Sequence, residues 1–204
     1  MPVLILDADE SEKLVRHRKA DPGYRWDEVW EGVYVVPPLP DILHSELSAL
    51  FVVAFHENFR RSDGHRCGGH VNVSDRKKDW MFNVRCPDAV VYLVGNSSRD
   101  RFTHWQGGPD LLVEVAMPGD RSRDKLEFYA SIGTREVLIL DRDPWLVELY
   151  QLRRERMRLK GIARPGDGQV LSSSVGPVAF QLVRSRPRPK VRIIHTETSQ
   201  EWVG

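Results

Sequence analysis

Two apolar runs in the middle of the chain predict buried strands, and each is associated with one carboxylate. Leu111–Ala116 is apolar except for Glu114, and Ala89–Val94 directly follows Asp88. A run that is apolar at successive positions is typical of a central strand covered on both faces. A carboxylate inside such a strand costs several kcal/mol unless another group pairs with it. The pattern therefore predicts a buried acid with a specific partner.

A helix is predicted to follow the first of these strands. The break at Pro118-Gly119 ends the strand, and the helix begins near Ser122 or Arg123 and ends at Gly133. Four of its positions have the spacing i, i+3, i+4, i+7 and share one face, namely Lys125, Phe128, Tyr129 and Ile132. The lysine thus begins an apolar stripe, and we expect it to lie near the buried acid.

Turn residues and periodicity predict the remaining elements. Their order is hairpin, helix, strand, strand, strand, helix, strand, strand, which predicts an α/β or α+β fold with a mixed sheet. The predicted elements are a short strand or arm at Val3–Leu6 before a solvated helix, a hairpin at Val29–Val36, a helix from Asp41 to about Phe59, loops at Ser62–Gly69 and Gly95–Gly108, an edge strand at Val71–Val73, a strand–turn–strand unit in REVLILDRDPWLVELYQL, and closing strands at Val170-Leu171 and Val178–Val183.

Composition limits the possible classes of protein. The 204 residues are 41% hydrophobic, which is enough for one compact domain over residues 1–204. The net charge of +1 predicts no anionic partner by itself, and two cysteines are too few for a disulfide framework. No apolar run approaches the roughly 18 residues of a membrane span, and Val3–Leu6 is too short for a signal peptide. We expect a cytoplasmic protein with no membrane partner.

The two carboxylates and the lysine suggest a particular chemistry. If their strands are neighbours, Asp88 and Glu114 converge, and two close carboxylates repel each other unless they share a cation. Oxygen ligands suit Mg²⁺ or Mn²⁺. A nearby lysine, Lys125, can stabilise a phosphorane-like transition state or orient a water. This set fits the hydrolysis of phosphodiesters.

Each of these residues also has a structural interpretation. Glu114 can be a core carboxylate paired with an arginine, and Asp88 can cap the start of its strand. Lys125 can extend from the helix edge to water. These alternatives stay open on the residues alone.

The arrangement of motifs resembles a known family. Asp88 after Pro87, with Glu114 in an apolar strand, resembles the PD-(D/E)XK nuclease signature. More closely, residues 26–183 resemble the Uma2 family, also called DUF820, of restriction-endonuclease-like proteins. The matching pieces in chain order are WEGVYVVPP, His44-Ser45 at a helix start, Arg85 with PDAVVYL, PDLLVEVAMPGDRSRDKLEFYASIGTREVLILD, VELYQL and LSSSVGPVAFQL. Their common order and spacing carry the resemblance.

The resemblance implies both a fold and an activity. The implied fold is restriction-endonuclease-like, with a mixed central sheet flanked by helices and an added N-terminal hairpin. The implied activity is a metal-dependent endonuclease that hydrolyses nucleic acid, DNA foremost, as a homodimer. Mg²⁺ or Mn²⁺ would be held by Asp88 and Glu114, with Lys125 and His44 as further catalytic residues.

The sequence departs from the general signature after the glutamate. The lysine expected two residues later is replaced by Ala116, as in other Uma2-like sequences, and Lys125 is the natural substitute. A serine–proline–serine turn is replaced by Met117-Pro118-Gly119. Asp124 can tune or block the role of its neighbour Lys125. The missing lysine favours a rival prediction, a catalytically inactive module that binds nucleic acid or protein on the same fold.

Several other residues are candidates with competing interpretations. Glu31 and Glu46 can supply a further acid. A zinc site is an alternative at a loop with His65, Cys67 and His70, together with the distant Cys86, but the spacing is not a standard finger pattern, which favours a surface loop.

Two further segments can contact nucleic acid. Phe102 and Trp105, flanked by arginines, can stack on bases or pin a long loop to the core. Residues 184–204 are predicted as a basic and then mildly acidic C-terminal tail. Its alternating basic residues can follow a phosphate backbone or keep the chain soluble.

Overall fold

The computed structural model describes residues 2–20, 26–59 and 63–204. The helices in these ranges are α1 (Ala8–Ala20), α2 (Ile42–Asn58) and α3 (Leu126–Ser131). The strands are β1 (Val3–Ile5), β2 (Glu28–Trp30), β3 (Val33–Val36), β4 (Arg66–Gly68), β5 (Val73–Ser74), β6 (Val84–Arg85), β7 (Ala89–Tyr92), β8 (Arg99–Asp100), β9 (Trp105–Gln106), β10 (Leu111–Val115), β11 (Glu136–Arg142), β12 (Trp145–Arg153), β13 (Arg156–Ala163), β14 (Leu171–Ser172), β15 (Val178–Val183), β16 (Lys190–His195) and β17 (Glu201–Val203). No helix in this part of the chain has both the length and the apolar character needed to cross a membrane.

A six-stranded mixed sheet lies at the centre, in the order β13-β12-β11-β10-β7-β4. Strands β10 and β11 run parallel and are joined through α3, because a parallel pair needs a crossover connection. Strand β7 runs antiparallel to β10, with Ala89 opposite Val113. The predicted mixed α/β fold is confirmed, and the two apolar runs are neighbouring strands of its central sheet.

The central sheet is covered on both faces, as the uninterrupted apolar runs require. On one face, Phe51 and Phe55 of α2 pack against β10 and against Phe180 of a third sheet, whose order is β14-β15-β16-β17. On the other face, Tyr129 of α3 packs against Leu112 and its neighbours. Because side chains alternate along a strand, Glu114 shares this second face with Leu112.

A seven-stranded sheet, in the order β1-β3-β2-β6-β5-β9-β8, extends from the N-terminal hairpin. The predicted hairpin is confirmed as β2 and β3, and its turn is at Glu31-Gly32, where φ is 49° and 90°. Left-handed conformation at both turn residues matches the twist of the flanking strands. The hairpin directs Glu28 toward Cys86, whose main-chain N–H donates to Glu28 Oε1 over 2.8 Å.

Several predicted bounds differ from the structure. The helix expected from Ser122 begins as a 3₁₀ turn over Ser122–Lys125, and α3 starts only at Leu126. The predicted loop Ser62–Gly69, of which Ser62 lies outside the described residues, contains β4, and the loop Gly95–Gly108 contains β8 and β9. Strand β5 lies between β6 and β9 rather than at an edge. Strands of two or three residues are too short to show an alternating pattern.

The segment predicted as a C-terminal tail contributes two strands to the third sheet. Strand β16 pairs with β15 and β17, and Val191 and Ile193 are completely buried. Trp202 packs against the main core. The basic residues of β16 alternate with apolar ones, so one side of the strand faces α2 and the other faces water. This alternation is a strand signal, and the prediction of a tail overlooked it.

Candidate active site

The predicted site residues line one cavity of about 230 Å³. It lies where the N-terminal end of α2, the ends of β7 and β10, and the hairpin β2–β3 meet. The titratable side chains that line it are Glu28, His44, His70, Cys86, Asp88, Glu114, Asp120, Arg121 and Lys125. Folding thus brings together groups that are almost 100 residues apart in sequence.

Asp88 is held at the junction of β7 and β10. Its main-chain N–H donates to the carbonyl of Val113 over 3.0 Å, and its Oδ2 accepts from the N–H of Val115 over 2.7 Å. Burial opposes ionisation, yet hydrogen bonds from His44 and from the N–H of Val115 hold the pKa of Asp88 below its ordinary value. The carboxylate is therefore charged and fixed in orientation.

Two histidines approach the other oxygen of Asp88. His44 Nε2 lies 3.3 Å and His70 Nδ1 lies 3.6 Å from Asp88 Oδ1. Burial lowers the pKa of His44, but the neighbouring Asp88 outweighs this effect and raises it. Burial and the charge of His44 lower the pKa of His70. At neutral pH, His44 is the better donor to Asp88.

The start of α2 places His44 in this position. Asp41 caps the helix, and its Oδ1 accepts from the main-chain N–H of His44 over 2.7 Å, as expected for an N-cap aspartate. Arg142, at the end of β11, pairs with Asp41 over 2.9 Å and also donates to the carbonyl of Ala116. This arginine contacts both the start of α2 and the end of β10, so it fixes the helix against the central sheet beside the cavity.

Glu114 is buried on the opposite side of the cavity, with 3% of its surface exposed. Its Oε1 accepts a short hydrogen bond from the hydroxyl of Tyr129, and its Oε2 accepts from Lys125 Nζ over 2.8 Å. Burial raises the pKa of Glu114 to about 8, and the charges of Glu28 and Asp88 add to this, although Lys125 lowers it. Glu114 thus binds a proton more tightly than an ordinary glutamate.

Lys125 bridges two carboxylates. Its Nζ lies 2.9 Å from Glu28 Oε1 and 2.8 Å from Glu114 Oε2, and the residue is 8% exposed. Burial lowers the pKa of Lys125, but the two carboxylates outweigh burial and raise it well above the ordinary value. The 3₁₀ turn directs neighbouring Asp124 away from it, toward Arg121 at 2.5 Å. Asp124 therefore does not contact Lys125.

Glu28 is the site residue that the sequence analysis missed. It is buried on β2, accepts from Trp30 Nε1 over 2.7 Å, and lies near the guanidinium of Arg85. Burial opposes ionisation, but Lys125 and Arg85 outweigh it and lower the pKa of Glu28. Its neighbours along the chain are Asp27 and Val29, so no local pattern marks it as the buried acid. The prediction chose Glu31, which instead lies exposed at the turn.

Other predicted candidates lie away from the cavity. Glu46 faces outward from α2 and pairs with Arg188 over 3.1 Å. The His65 ring accepts from the N–H of Val94, and Cys67 Sγ approaches the carbonyl oxygens of Phe55 and Phe59. Of the predicted zinc loop, only His70 reaches the cavity.

The donor set at the cavity fits a hard divalent cation. Three buried carboxylates, on Glu28, Asp88 and Glu114, face one buried ammonium, on Lys125. Burial is the main cause of the raised pKa of Glu114, and an excess of negative charge from Glu28 and Asp88 contributes to it. A bound cation would neutralise that excess. In residues 2–20, 26–59 and 63–204, no three His, Cys, Asp or Glu side chains form a ready-made metal cluster. Water, a main-chain carbonyl or substrate would have to complete the coordination.

Comparison with known proteins identifies the family. The model of the Uma2 family, described as "Putative restriction endonuclease", matches residues 9–183. The fold is similar to that of a crystal structure titled as a putative nuclease belonging to DUF820 from Anabaena variabilis. The TM-score is 0.58 at 16% sequence identity, over 74% of this chain and 83% of that one. No curated protein matches the chain. Because the family model covers most of the sequence, the chain belongs to the Uma2 family, as its motifs predicted.

Proposed function

We propose that this protein is an endonuclease that hydrolyses phosphodiester bonds of nucleic acid, DNA foremost, at the cavity of Asp88, Glu114 and Lys125. One observation carries the proposal: two acids from neighbouring central strands and a buried lysine line the same cavity. The family description and the fold support the same class of reaction. Acid, acid and lysine around a phosphate are the groups that this hydrolysis requires.

The cavity would use a divalent cation. Asp88 and Glu114, with the carbonyl of Val115, would hold Mg²⁺ or Mn²⁺, whose chemistry when bound is to neutralise charge on the reacting phosphate. Glu114 must lose its proton to serve as a ligand. Because the pKa of Glu114 is raised to about 8, metal binding and proton release are coupled at this site.

The residues of the chain have distinct tasks in this scheme. Lys125 would donate to the phosphate oxygens as their charge increases, and Glu28 would hold the ammonium in place while Glu114 serves as a metal ligand. His44 fixes the orientation of Asp88 through Oδ1. Arg121, at the cavity wall, attracts the anionic substrate.

A binding module without catalysis is the second candidate. It is favoured by Ala116, which stands where the general nuclease signature has a lysine, and by the two carboxylates that hold Lys125. In this second candidate, Glu28 and Glu114 hold the lysine in place, and its role is to stabilise the fold. This candidate predicts nucleic-acid binding with no cleavage at any pH.

Nicking of supercoiled plasmid with Mg²⁺ or Mn²⁺ tests the proposal. Wild type is compared with Glu114→Ala and with the matched control Glu31→Ala, which changes an exposed acid of the hairpin. We expect wild type and the control to nick the plasmid and Glu114→Ala to be inactive. Linear product, beyond nicked circles, would indicate two sites acting together as in a homodimer. Cleavage that survives in Glu114→Ala would place the site elsewhere, and no cleavage by any protein would favour the binding module.

A further inference from the structure

Phe102 occupies an unusual position at the tip of the hairpin formed by β8 and β9. Its side chain is fully exposed, and its backbone is left-handed with φ of 66°. This conformation is an outlier for a bulky residue and costs about 1–2 kcal/mol. Neither packing nor backbone preference accounts for a phenylalanine here, which makes this residue a candidate for an intermolecular contact.

The hairpin that presents Phe102 is well anchored. Asp100 Oδ1 accepts from the N–H of Phe102 over 2.7 Å, and the guanidinium of Arg101 donates to Gln106 Oε1 over 2.7 and 3.1 Å. At the base, the ring of Trp105 stacks on Tyr92 at 3.9 Å between centroids. Of the two aromatic residues that the sequence singled out in this segment, Trp105 pins the loop to the core and Phe102 projects into solvent.

A basic loop lies against the same hairpin. The carbonyl of Arg76 lies 2.8 Å from His104 Nε2 in the hairpin. The following Lys77 and Lys78 are exposed, as is Arg99 on β8. Within the described ranges, no carboxylate lies within ion-pair distance of these three cations. Residues 75–79 and 99–101 together carry five basic and three acidic side chains, so this surface has a net positive charge. An exposed ring beside net positive charge has the chemistry of a nucleic-acid contact, in which bases stack and phosphates bind cations.

We propose that this surface, defined as Phe102 with Lys77, Lys78 and Arg99, binds the nucleic-acid substrate outside the cleavage cavity, and that Phe102 stacks on an unpaired base. The inference rests on the proposed function, because it adds a second contact for the same substrate. Strands β2 and β8 are separated by four steps in the sheet order β2-β6-β5-β9-β8. At about 4.8 Å per step this is about 19 Å, or about six base pairs of duplex.

Binding in EDTA, where hydrolysis is blocked, tests the surface separately from catalysis. A fluorescein-labelled single strand of about 20 nucleotides and its duplex serve as probes, read by anisotropy. Phe102→Ala is compared with Phe102→Trp, which keeps a ring, and with Val203→Ala, an exposed apolar control on β17. We expect Phe102→Ala to raise the Kd for the single strand about 5- to 150-fold and to change the Kd for the duplex little. Phe102→Trp and Val203→Ala should bind like wild type.

A salt titration tests the basic part of the surface. The double variant Lys77→Ser, Lys78→Ser should make the slope of log K against log salt less steep by about 1.4 for the single strand and by about 1.8 for the duplex. An unchanged slope, or equal single-strand Kd values for wild type and Phe102→Ala, would overturn the proposal. Equal weakening on both probes would also overturn it, because a paired base cannot stack on Phe102. Plasmid nicking by wild type is measured in parallel. Nicking together with a negative binding result would contradict the proposed surface and leave the proposed nuclease function intact.

Discussion

Replacing Glu114 by glutamine tests the excess of negative charge at the cavity. Glutamine keeps the shape of the side chain and remains neutral at every pH. In the folded protein burial raises the pKa of Glu114 to about 8, compared with 4.5 for an ordinary glutamate. The variant therefore lacks a group whose pKa differs between the folded and the unfolded chain.

The pH dependence of the free energy of unfolding depends on whether the folded or the unfolded chain binds the Glu114 proton more tightly. Because the folded pKa is the higher one, the stabilisation from this group is fully present below about pH 4.5 and is lost as pH rises through about 8. The difference of 3.5 units corresponds to about 5 kcal/mol, at about 1.4 kcal/mol per unit. The free energy of unfolding of Glu114→Gln should thus increase relative to wild type by about 1.4 kcal/mol per pH unit in this window.

Urea unfolding between about pH 5 and pH 9, in EDTA, measures the difference. Wild type and Glu114→Gln should have similar stability near pH 5 and diverge above it, and Glu31→Gln, the exposed hairpin control, should follow wild type. Adding Mg²⁺ at about pH 8 should stabilise wild type more than Glu114→Gln, because a neutral amide oxygen binds Mg²⁺ more weakly than a carboxylate does. Parallel profiles of wild type and Glu114→Gln would refute the reasoning.

Three further predictions concern other parts of the structure. Lys125→Met should lower the free energy of unfolding by about 3–5 kcal/mol near pH 8 in urea, since it removes the ammonium that two buried carboxylates contact; a loss below 1 kcal/mol would contradict this. Glu28→Gln should slow plasmid nicking by about 10- to 100-fold, because it weakens the hold on the Lys125 ammonium. Glu31→Gln should cleave at the wild-type rate, and equal rates for the two variants would show that Glu28 has no role in the site. Ile193→Ala should lower the free energy of unfolding in urea by about 2–5 kcal/mol, and the exposed control Val203→Ala should lower it by about 0.5 kcal/mol or less. Equal effects of the two substitutions would show that β16 does not pack in the core.

The sequence was most informative where long apolar runs determine the fold. Strands β7 and β10 were predicted because apolar side chains on both faces require a central position, and the pairing of these strands brings Asp88 and Glu114 to one cavity. The helix α2 followed from its Asp41 cap and apolar stripe. These signals are local, so they can be recognised without knowing what packs against them.

Glu28 was not predictable in the same way, because its partners are distant in the chain. It contacts Cys86 across 58 positions and Lys125 across 97. Nothing near Glu28 distinguishes it from Glu31, only three residues away, and only the pairing of β2 with β6 decides which acid is buried. The three-dimensional arrangement of strands, rather than any local pattern, selects the acid that holds Lys125.

The most direct test of the central claim measures cation binding at Asp88 and Glu114. Titration of wild type and Glu114→Ala with Mn²⁺ at about pH 8, with the free ion detected by electron paramagnetic resonance, counts bound ions without relying on activity. We expect one bound Mn²⁺ per wild-type chain and loss of this site in Glu114→Ala. Equal binding by the two proteins would contradict the assignment of the cavity as a metal-dependent active site.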